Sequence, residues 1–321
     1  MKKLLAVILA AAMLLTCSAC GDTNNADGTY KIGICQLLPH VALDKATEGF
    51  QKALTEKLGD KVSFDVQYGG GEKTNCTTIV SKFVSDEVDL IMGNATDALA
   101  AAAEATDTIP IVATSITDYA TALGMDSWTG TTGINVTGTS DLAPLDKQAE
   151  MIVELFPNAE KVGILYCSGE SNSKFQADKI TEYLKTLGVK NVKVYTFVDT
   201  NDISTVAQTA VSESDVIYIP TDNKAADNTE AINNIAEPAK VPIIAGEAGI
   251  CSGCGIATLS IDYYDIGYRA GEMAYEILVN GKDPATMEIE TAKESEKQYV
   301  ASRAQSIGVT IPDGYTAMAE E

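Results

Sequence analysis

From Tyr30 onward the chain alternates short apolar runs with longer stretches whose apolar residues recur every three to four positions. This is the signature of strands and amphipathic helices taken in turn. Lys31–Gln36 (KIGICQ) predicts a buried strand, and Leu43 to Leu58 a helix with Leu43, Ala46, Phe50, Ala53, Leu54 and Leu58 on one stripe, stopped by Gly59. A second unit repeats the order: a strand at Lys161–Tyr166 (KVGILY), then a helix over Phe175–Leu187 stopped by Gly188. Strands at Val62–Tyr68 and Val192–Val198 and helices at Thr74–Val84 and Ile203–Val211 follow in the two units. Asp89–Asp97 (DLIMGNATD) then answers Asp215–Asp222 (DVIYIPTD), and helices over Ala98–Ala105 and Ala225–Ala236 lead into IPIVA (109–113) and VPIIA (241–245). The ordered self-similarity, at an offset of about 125 to 132 residues, reads as an internal duplication.

Strand and helix alternating in two copies predict an α/β protein of two Rossmann-like lobes, each a parallel sheet covered by helices on both faces. Ligands of such sheets bind beyond the carboxyl ends of the strands, so two facing lobes enclose a cleft between them. The residues at those ends are Gln36 to His40, Asn94 to Asp97 and Thr114 to Asp118 in the first lobe. In the second they are Ser168 to Ser173, Thr221 to Asn223, and Gly246-Glu247. They are mostly hydroxyls, amides and carboxylates, suited to hydrogen-bonding a small polar solute rather than to covalent chemistry.

Composition narrows the class. The 321 residues hold 45 acidic against 23 basic side chains, a net charge of −22, which leaves no electrostatic footing for nucleic acid. The amino terminus carries Lys2 and Lys3, an apolar run from Leu4 to Leu15, and the small-residue exit Thr16-Cys-Ser-Ala-Cys20. Twelve apolar residues are too few to span a bilayer, so residues 1–19 read as a cleaved export signal. The exit resembles a bacterial lipobox, with Cys20 as the lipidated residue; Cys17 stands where an aliphatic is usual, and is the alternative. Gly21 to Thr29 is small and polar, so 20–29 reads as a flexible tether to the membrane surface.

Seven segments in order carry a resemblance: KIGICQLLPHVALD (31–44), VDLIMGNATDA (88–98), IPIVATSITD (109–118), NVTGTSDL (135–142), LYCSGESNS (165–173), YIPTDN (218–223) and IDYYDIG (261–267). Together they resemble the ABC-transporter substrate-binding lipoprotein family that includes tryptophan- and tyrosine-binding members. The resemblance implies a type I periplasmic-binding-protein fold whose chain crosses between lobes more than once. Residues 30–142 and 261–282 would form lobe 1, and 143–260 and 283–313 lobe 2. It further implies an extracytoplasmic, lipid-anchored receptor that closes on an amino acid, with an aromatic side chain expected, and delivers it to ABC permease subunits. The ligand carboxylate would take donors from Asn94, Thr96 and Ser115, with Asn172 and Ser173 added on closure. Asp222, then Asp118, would pair with its ammonium. Gln36, His40, Asp97, Thr221, Asn223 and Glu247 complete the expected ligand-binding set.

Plainer roles compete for the same residues. Asp and Thr at the starts of helices are often caps, a role open to Thr96, Asp97 and Thr221. His40, the single histidine, either lines the pocket or is a loop side chain. Tyr119, Trp128, Tyr218 and Tyr263 could stack on a ligand or pack the core and hinge. Gly69-Gly-Gly-Glu-Lys-Thr74 lacks the frame of a phosphate loop and reads as a glycine turn. Cys251-Ser-Gly-Cys254 has the spacing of a local disulfide, of free thiols or of a thiol oxidoreductase, and zinc would need two further ligands that are not evident. An enzyme, whether hydrolase or oxidoreductase, is therefore not expected, nor is a cofactor or resident metal. A ligand sensor for a membrane receptor is the alternative within the binding class. Asp222→Ala is expected to weaken ligand binding at least tenfold without lowering the stability of the free protein, on the premise that Asp222 serves the ligand alone.

Overall fold

The computed structural model describes residues 28–319. The first unit runs β1 (Tyr30–Gln36), α1 (Val41–Leu58), β2 (Val62–Tyr68), α2 (Lys73–Ser85), β3 (Leu90–Asn94), α3 (Thr96–Ala105), β4 (Ile111–Ile116), α4 (Tyr119–Leu123) and β5 (Val136–Ser140). The second runs α5 (Leu145–Leu155), β6 (Lys161–Cys167), α6 (Ser171–Thr186), β7 (Asn191–Phe197), α7 (Ile203–Glu213), β8 (Val216–Ile219), α8 (Asn223–Asp227), α9 (Thr229–Ala239), β9 (Ile243–Ala245), α10 (Ala248–Cys254) and β10 (Ala257–Ser260). The chain then adds α11 (Tyr263–Leu278), β11 (Glu290–Thr291), β12 (Glu296–Tyr299), α12 (Ala301–Ile307) and β13 (Thr316–Ala317).

The duplication read from the sequence is a duplication of topology. The first sheet has the order β11-β5-β4-β3-β1-β2 and the second β13-β12-β10-β9-β8-β6-β7. Stripped of their last edge strands, both follow one doubly wound scheme, in which the strand order reverses beside the first strand of the unit. All pairings are parallel except β10 with β12. The crevice at each reversal lies between the ends of β1 and β3, and of β6 and β8. The two crevices face each other across the interlobe cleft.

Each sheet carries a buried apolar cluster on each face, Phe83, Ile91, Leu99 and Ile111 against Ile32, Phe50, Leu90 and Met273 in the first lobe. Phe197, Ile217 and Ile243 against Ile164, Ile180 and Tyr218 do the same in the second. A smaller cluster of Ala42, Ala46, Ala143, Ile261, Tyr263 and Ile266 sits at the crossings between the lobes. There α11 lies unusually close to α1, because a Cβ on Gly267 would stand 2.0 Å from the Ala46 carbonyl oxygen and one on Gly49 2.2 Å from that of Tyr264. Only hydrogen fits in either place.

Two details differ from expectation. The return to the second lobe, expected after Lys282, comes later: β11 pairs with β5, and Met287 and Ile289 pack into the first lobe's clusters. The crossing therefore falls between Thr291 and Glu296, where β12 joins β10. A two-residue strand is too short to show a period. The helix expected over 225–236 is two helices, broken at Asn228, whose φ of −123° leaves the helical range. Of the readings left open for Cys251 and Cys254, the local disulfide is not formed: both are free thiols in the short helix α10.

Candidate functional site

The two lobes meet around a small closed cavity lined by His40, Leu43, Ser115, Thr117, Asp141 and Tyr263 on one side and Asn172, Thr221, Asp222, Asn223, Ala226 and Glu247 on the other. The centre of a water molecule can sweep only about 10 Å³ of it. Its walls are held together by hydrogen bonds across the cleft. His40 Nε2 lies 3.1 Å from Asn223 Oδ1, and Gln176 Nε2 donates across to Thr117 Oγ1 at 3.3 Å and, within its own lobe, to Thr221 Oγ1. Farther out, Lys224 pairs with Glu72 at 3.2 Å. Closure is thus built from polar side chains on the loops and helices that follow the strand ends.

The strand ends are shaped to face the cleft. Ser115, at the end of β4, has φ +59°, and Ala95, just after β3, has φ +87°. Such left-handed backbone costs about 1 kcal/mol or more in a residue with a Cβ and persists where its surroundings demand it. At Ser115 it accompanies a break in the β4–β5 register between Ala113 and Ile116. The Ser115 hydroxyl is buried, lines the cavity and has no hydrogen-bond partner.

Acid dominates this space. Asp141, Asp222 and Glu247 line the cavity, each at most 5% exposed, with no lysine or arginine among the lining residues. Burial raises the pKa of all three, Glu247 to about 7. Their partners set them apart. Glu247 caps α10, its carboxylate accepting from the backbone amides of Gly249 and Ile250. Asp222 caps α8, Oδ1 accepting from Ala225 N at 2.8 Å and Oδ2 from Cys167 N at 2.7 Å, which ties β6 to β8 at the reversal point. Asp141 has hydroxyl partners instead, Thr117 Oγ1 at 3.1 Å and Tyr263 Oη at 2.8 Å. Of the three it is the one that caps no helix.

Behind the cavity wall Glu170, 5% exposed, accepts from Asn223 N, Asn223 Nδ2 and Asn172 Nδ2 on one oxygen and from Lys224 N on the other. Burial pushes its carboxyl up to about 7, with the neighbouring Asp222 charge acting in the same direction and the amide bonds opposing. Glu170 holds Asn172 and Asn223 in place without lining the cavity itself.

Of the expected ligand-binding set, the cavity gathers His40, Ser115, Asn172, Thr221, Asp222, Asn223 and Glu247. The others stand elsewhere. Gln36 is wholly buried, donating to Leu38 O and Asp44 Oδ1 and accepting from Thr47 Oγ1; Asn94 donates to Leu43 O and Thr47 Oγ1. These two amides fasten α1 onto β1 and β3. Thr96 and Asp97 form the first turn of α3, and burial raises the Asp97 pKa. Asp118 caps α4 by accepting from Thr121 N at 2.7 Å. Ser173 lies beside Asn172 and Asp222 behind the wall. The expected set omits Leu43, Thr117, Asp141, Ala226 and Tyr263 at the cavity; of these, Thr117 falls within the strand-end segment 114–118 and Tyr263 was weighed for stacking or packing, while the other three went unnoticed. Asp141 was findable, since it follows the last residue of β5 as Ser115 follows the main run of β4.

Cys251 and Cys254 are buried free thiols, with desolvation raising both, Cys254 to about 12. They sit in the carboxyl-terminal half of α10, away from the helix start that lowers a thiol's pKa. The arrangement opposes thiol redox chemistry. Among the described residues no cluster of His, Cys, Asp and Glu could hold a metal ion, and no helix is long and apolar enough to cross a membrane. Cys20, Cys17 and the whole of residues 1–27 lie outside the described residues.

A closed cavity between two doubly wound lobes, lined from both, defines a protein that encloses a small solute. The chain belongs to the ABC transporter substrate binding protein family, which it matches over residues 31–321. It has the type I periplasmic-binding-protein fold. It is 37% identical over 311 residues, 92% of this chain and 89% of the relative, to a tyrosine-binding protein of Clostridioides difficile (strain R20291). Among solved structures it is similar to an ABC domain in complex with L-Trp from Streptococcus pneumonia, at 30% identity and a TM-score of 0.85 over 90% of this chain and 100% of that one. It is also similar to a ligand-free, open substrate-binding protein with adhesive properties from Clostridium difficile, at 32% identity and a TM-score of 0.69 over 91% of this chain and 100% of that one. Its relatives are substrate-binding proteins, not enzymes, and such proteins work outside the cytoplasm.

Proposed function

We propose that this chain is the lipid-anchored receptor of an ABC importer, which captures an aromatic amino acid between its lobes and presents it to the permease. The observation that carries the reading is the cavity itself, three buried carboxylates and one unpartnered hydroxyl with no lysine or arginine among the lining residues. Carboxylates gathered in a dry space call for a cation, and an α-ammonium supplies one with several N–H donors. The relatives that bind tyrosine and L-Trp support an aromatic amino acid as its owner.

Within that reading the ammonium sits at Asp141 rather than at Asp222. The Asp222 oxygens already accept backbone amides, whereas Asp141 is met by two hydroxyls that can reorient. The ligand carboxylate takes the Ser115 hydroxyl and amides near the strained turns at Ala95 and Ser115. The ligand must also widen the cavity, which as it stands has no room for an aromatic ring. Opening and reclosing of the lobes about the three crossings provides this, and ligand contacts to both lobes shift the balance to the closed form. Attachment through Cys20 would keep the receptor near its permease.

The test is a thermal-shift screen of the mature domain, unfolded and refolded to purge bound ligand, against the twenty amino acids, dipeptides and simple sugars. The expected outcome is a rise in melting temperature for aromatic amino acids alone, since a ligand that binds only the folded state stabilises it by mass action. A rise with sugars alone, or with nothing, would sink the reading.

A further inference from the structure

The chain has a single histidine, and its two ring nitrogens have unequal surroundings. His40 Nε2 meets Asn223 Oδ1 at 3.1 Å across the cleft. His40 Nδ1 is buried with no partner in a residue that lines the cavity. Which nitrogen carries the proton follows from the opposite lobe. Glu170 accepts from Asn223 Nδ2 at 2.7 Å and from three further N–H groups, so the amide nitrogen of Asn223 must face Glu170 and its oxygen must face His40. A carbonyl oxygen only accepts, so Nε2 must donate, and in a neutral ring Nδ1 is then a bare acceptor. Burial holds the ring neutral by lowering its pKa, against smaller opposite pulls from the Asn223 hydrogen bond, Asp44 on α1 and Asp227 on α8. The acidic groups facing the same cavity are Asp141, Asp222 and Glu247, with Tyr263 beside Asp141.

We propose that His40 is the residue that reads the ligand's side chain: locked as the Nε2–H tautomer by Asn223 and Glu170, it offers Nδ1 to an N–H or O–H donor on the ring. This deepens the proposed function and rests on it. Asp141, met by the Thr117 and Tyr263 hydroxyls, suits the ammonium, and His40, bonded to Asn223 through Nε2, leaves its other nitrogen as an acceptor for the indole N–H of tryptophan or the phenol O–H of tyrosine. Phenylalanine has no such donor and would leave Nδ1 buried and unpaired, an arrangement that sites built to bond a polar ligand reject strongly. The same ring closes onto Asn223, so a satisfied Nδ1 and a closed cleft favour each other.

Two substitutions separate the nitrogens. The amide of His40→Gln reaches where Nε2 was and keeps a donor for Asn223 but no acceptor at Nδ1, while His40→Asn does the reverse. The wild-type protein is expected to bind tyrosine or tryptophan at least about tenfold more tightly than phenylalanine, and His40→Gln to shrink that ratio to about threefold or less. His40→Asn should keep the ratio while weakening all three ligands alike. Because a variant could misfold, ring nitrogens of 15N-histidine are also followed in the wild type, where one residue gives the whole signal. Saturation with tyrosine should leave Nε2 protonated and shift Nδ1 toward a hydrogen-bonded acceptor. Equal affinity for phenylalanine, discrimination that survives in His40→Gln, or an Nδ1–H tautomer in the saturated protein would each overturn the proposal while leaving the receptor standing. Failure of every amino acid to bind would overturn both.

Discussion

The pair Thr-Asp occurs at the end of the third strand of each unit, as Thr96-Asp97 and as Thr221-Asp222, yet the two copies stand in different places. In the first lobe the helix begins at Thr96, so both residues belong to its first turn and Asp97 lies half-buried beside it. In the second lobe the helix begins two residues later in the motif, at Asn223, so Asp222 is its cap and Thr221 faces the cavity. The shift is set by what precedes the pair. Asn94-Ala95 turns the first lobe's chain sharply through a positive φ, whereas Pro220 continues the second lobe's chain without one. Matching sequence at duplicated strand ends thus reports matching topology but not matching function, because two residues of offset decide whether a side chain caps a helix, meets a ligand or does both.

Asp222→Ala is where the contrast should be largest. It strips the partners from Cys167 N and Ala225 N as well as a carboxylate from the cavity. Each buried amide left unpaired costs about 1–3 kcal/mol, so denaturant unfolding of the ligand-free protein should show a loss of about 2 kcal/mol or more alongside weaker ligand binding. That corrects the expectation drawn from sequence, in which stability was to remain intact. Asp97→Ala should change stability by less than about 0.5 kcal/mol. Similar losses at both positions would erase the distinction.

Asp141→Asn sharpens the division between carboxylates that hold the fold and one kept for the ligand. The amide can still meet the Thr117 and Tyr263 hydroxyls, so the melting temperature should move little while affinity falls about tenfold or more, as measured by calorimetry. Retained affinity would return the ammonium to Asp222.

The pH dependence of stability tests the second lobe's acids together. Glu170 and Glu247 have folded pKa values near 7 against 4.5 for a free glutamate. The folded protein then binds more protons than the unfolded chain between those values, so stability should fall as pH rises from about 4.5 to about 7, by up to about 1.4 kcal/mol per pH unit for each group. Ligand-free protein unfolded at intervals of pH should show that slope, and Glu247→Gln should flatten it. A stability that rises over the same interval would contradict the assignment.

The smallest effect on affinity belongs to Asp118, the second choice for the ammonium. As a cap on a five-residue helix, Asp118→Ala should cost about 1 kcal/mol and leave affinity unchanged. A large affinity loss would return it to the site.

The fold was legible because its signal is periodic. Apolar runs and helical stripes marked β1, α1, β6 and α6 from local sequence, and the repeat supplied the pairing of the units. What escaped lacks a period: β11 is two residues long, and the break at Asn228 falls in the polar run 227–230, which a solvent-facing helical turn would carry as well. The cavity was legible only in part, since the strand-end rule selects a region and not a direction. Gln36 and Asn94 have the chemistry of ligand contacts, but the carbonyl of Leu43 and the hydroxyl of Thr47 claim them first. Asp141 and Tyr263 come from segments 122 residues apart and meet only where the chain crosses between lobes. No local pattern records such a meeting.

The central claim is that the cavity holds an amino acid by its ammonium. It is tested most directly by calorimetric titration of ligand-purged protein with L-tyrosine and L-tryptophan and with their analogues that lack only the amino group. The account predicts that the amino acids bind and that the des-amino analogues lose about a hundredfold in affinity or more, the penalty for leaving buried carboxylates without their cation. Equal affinity for the two sets would show that the carboxylates around Asp141 serve the fold alone.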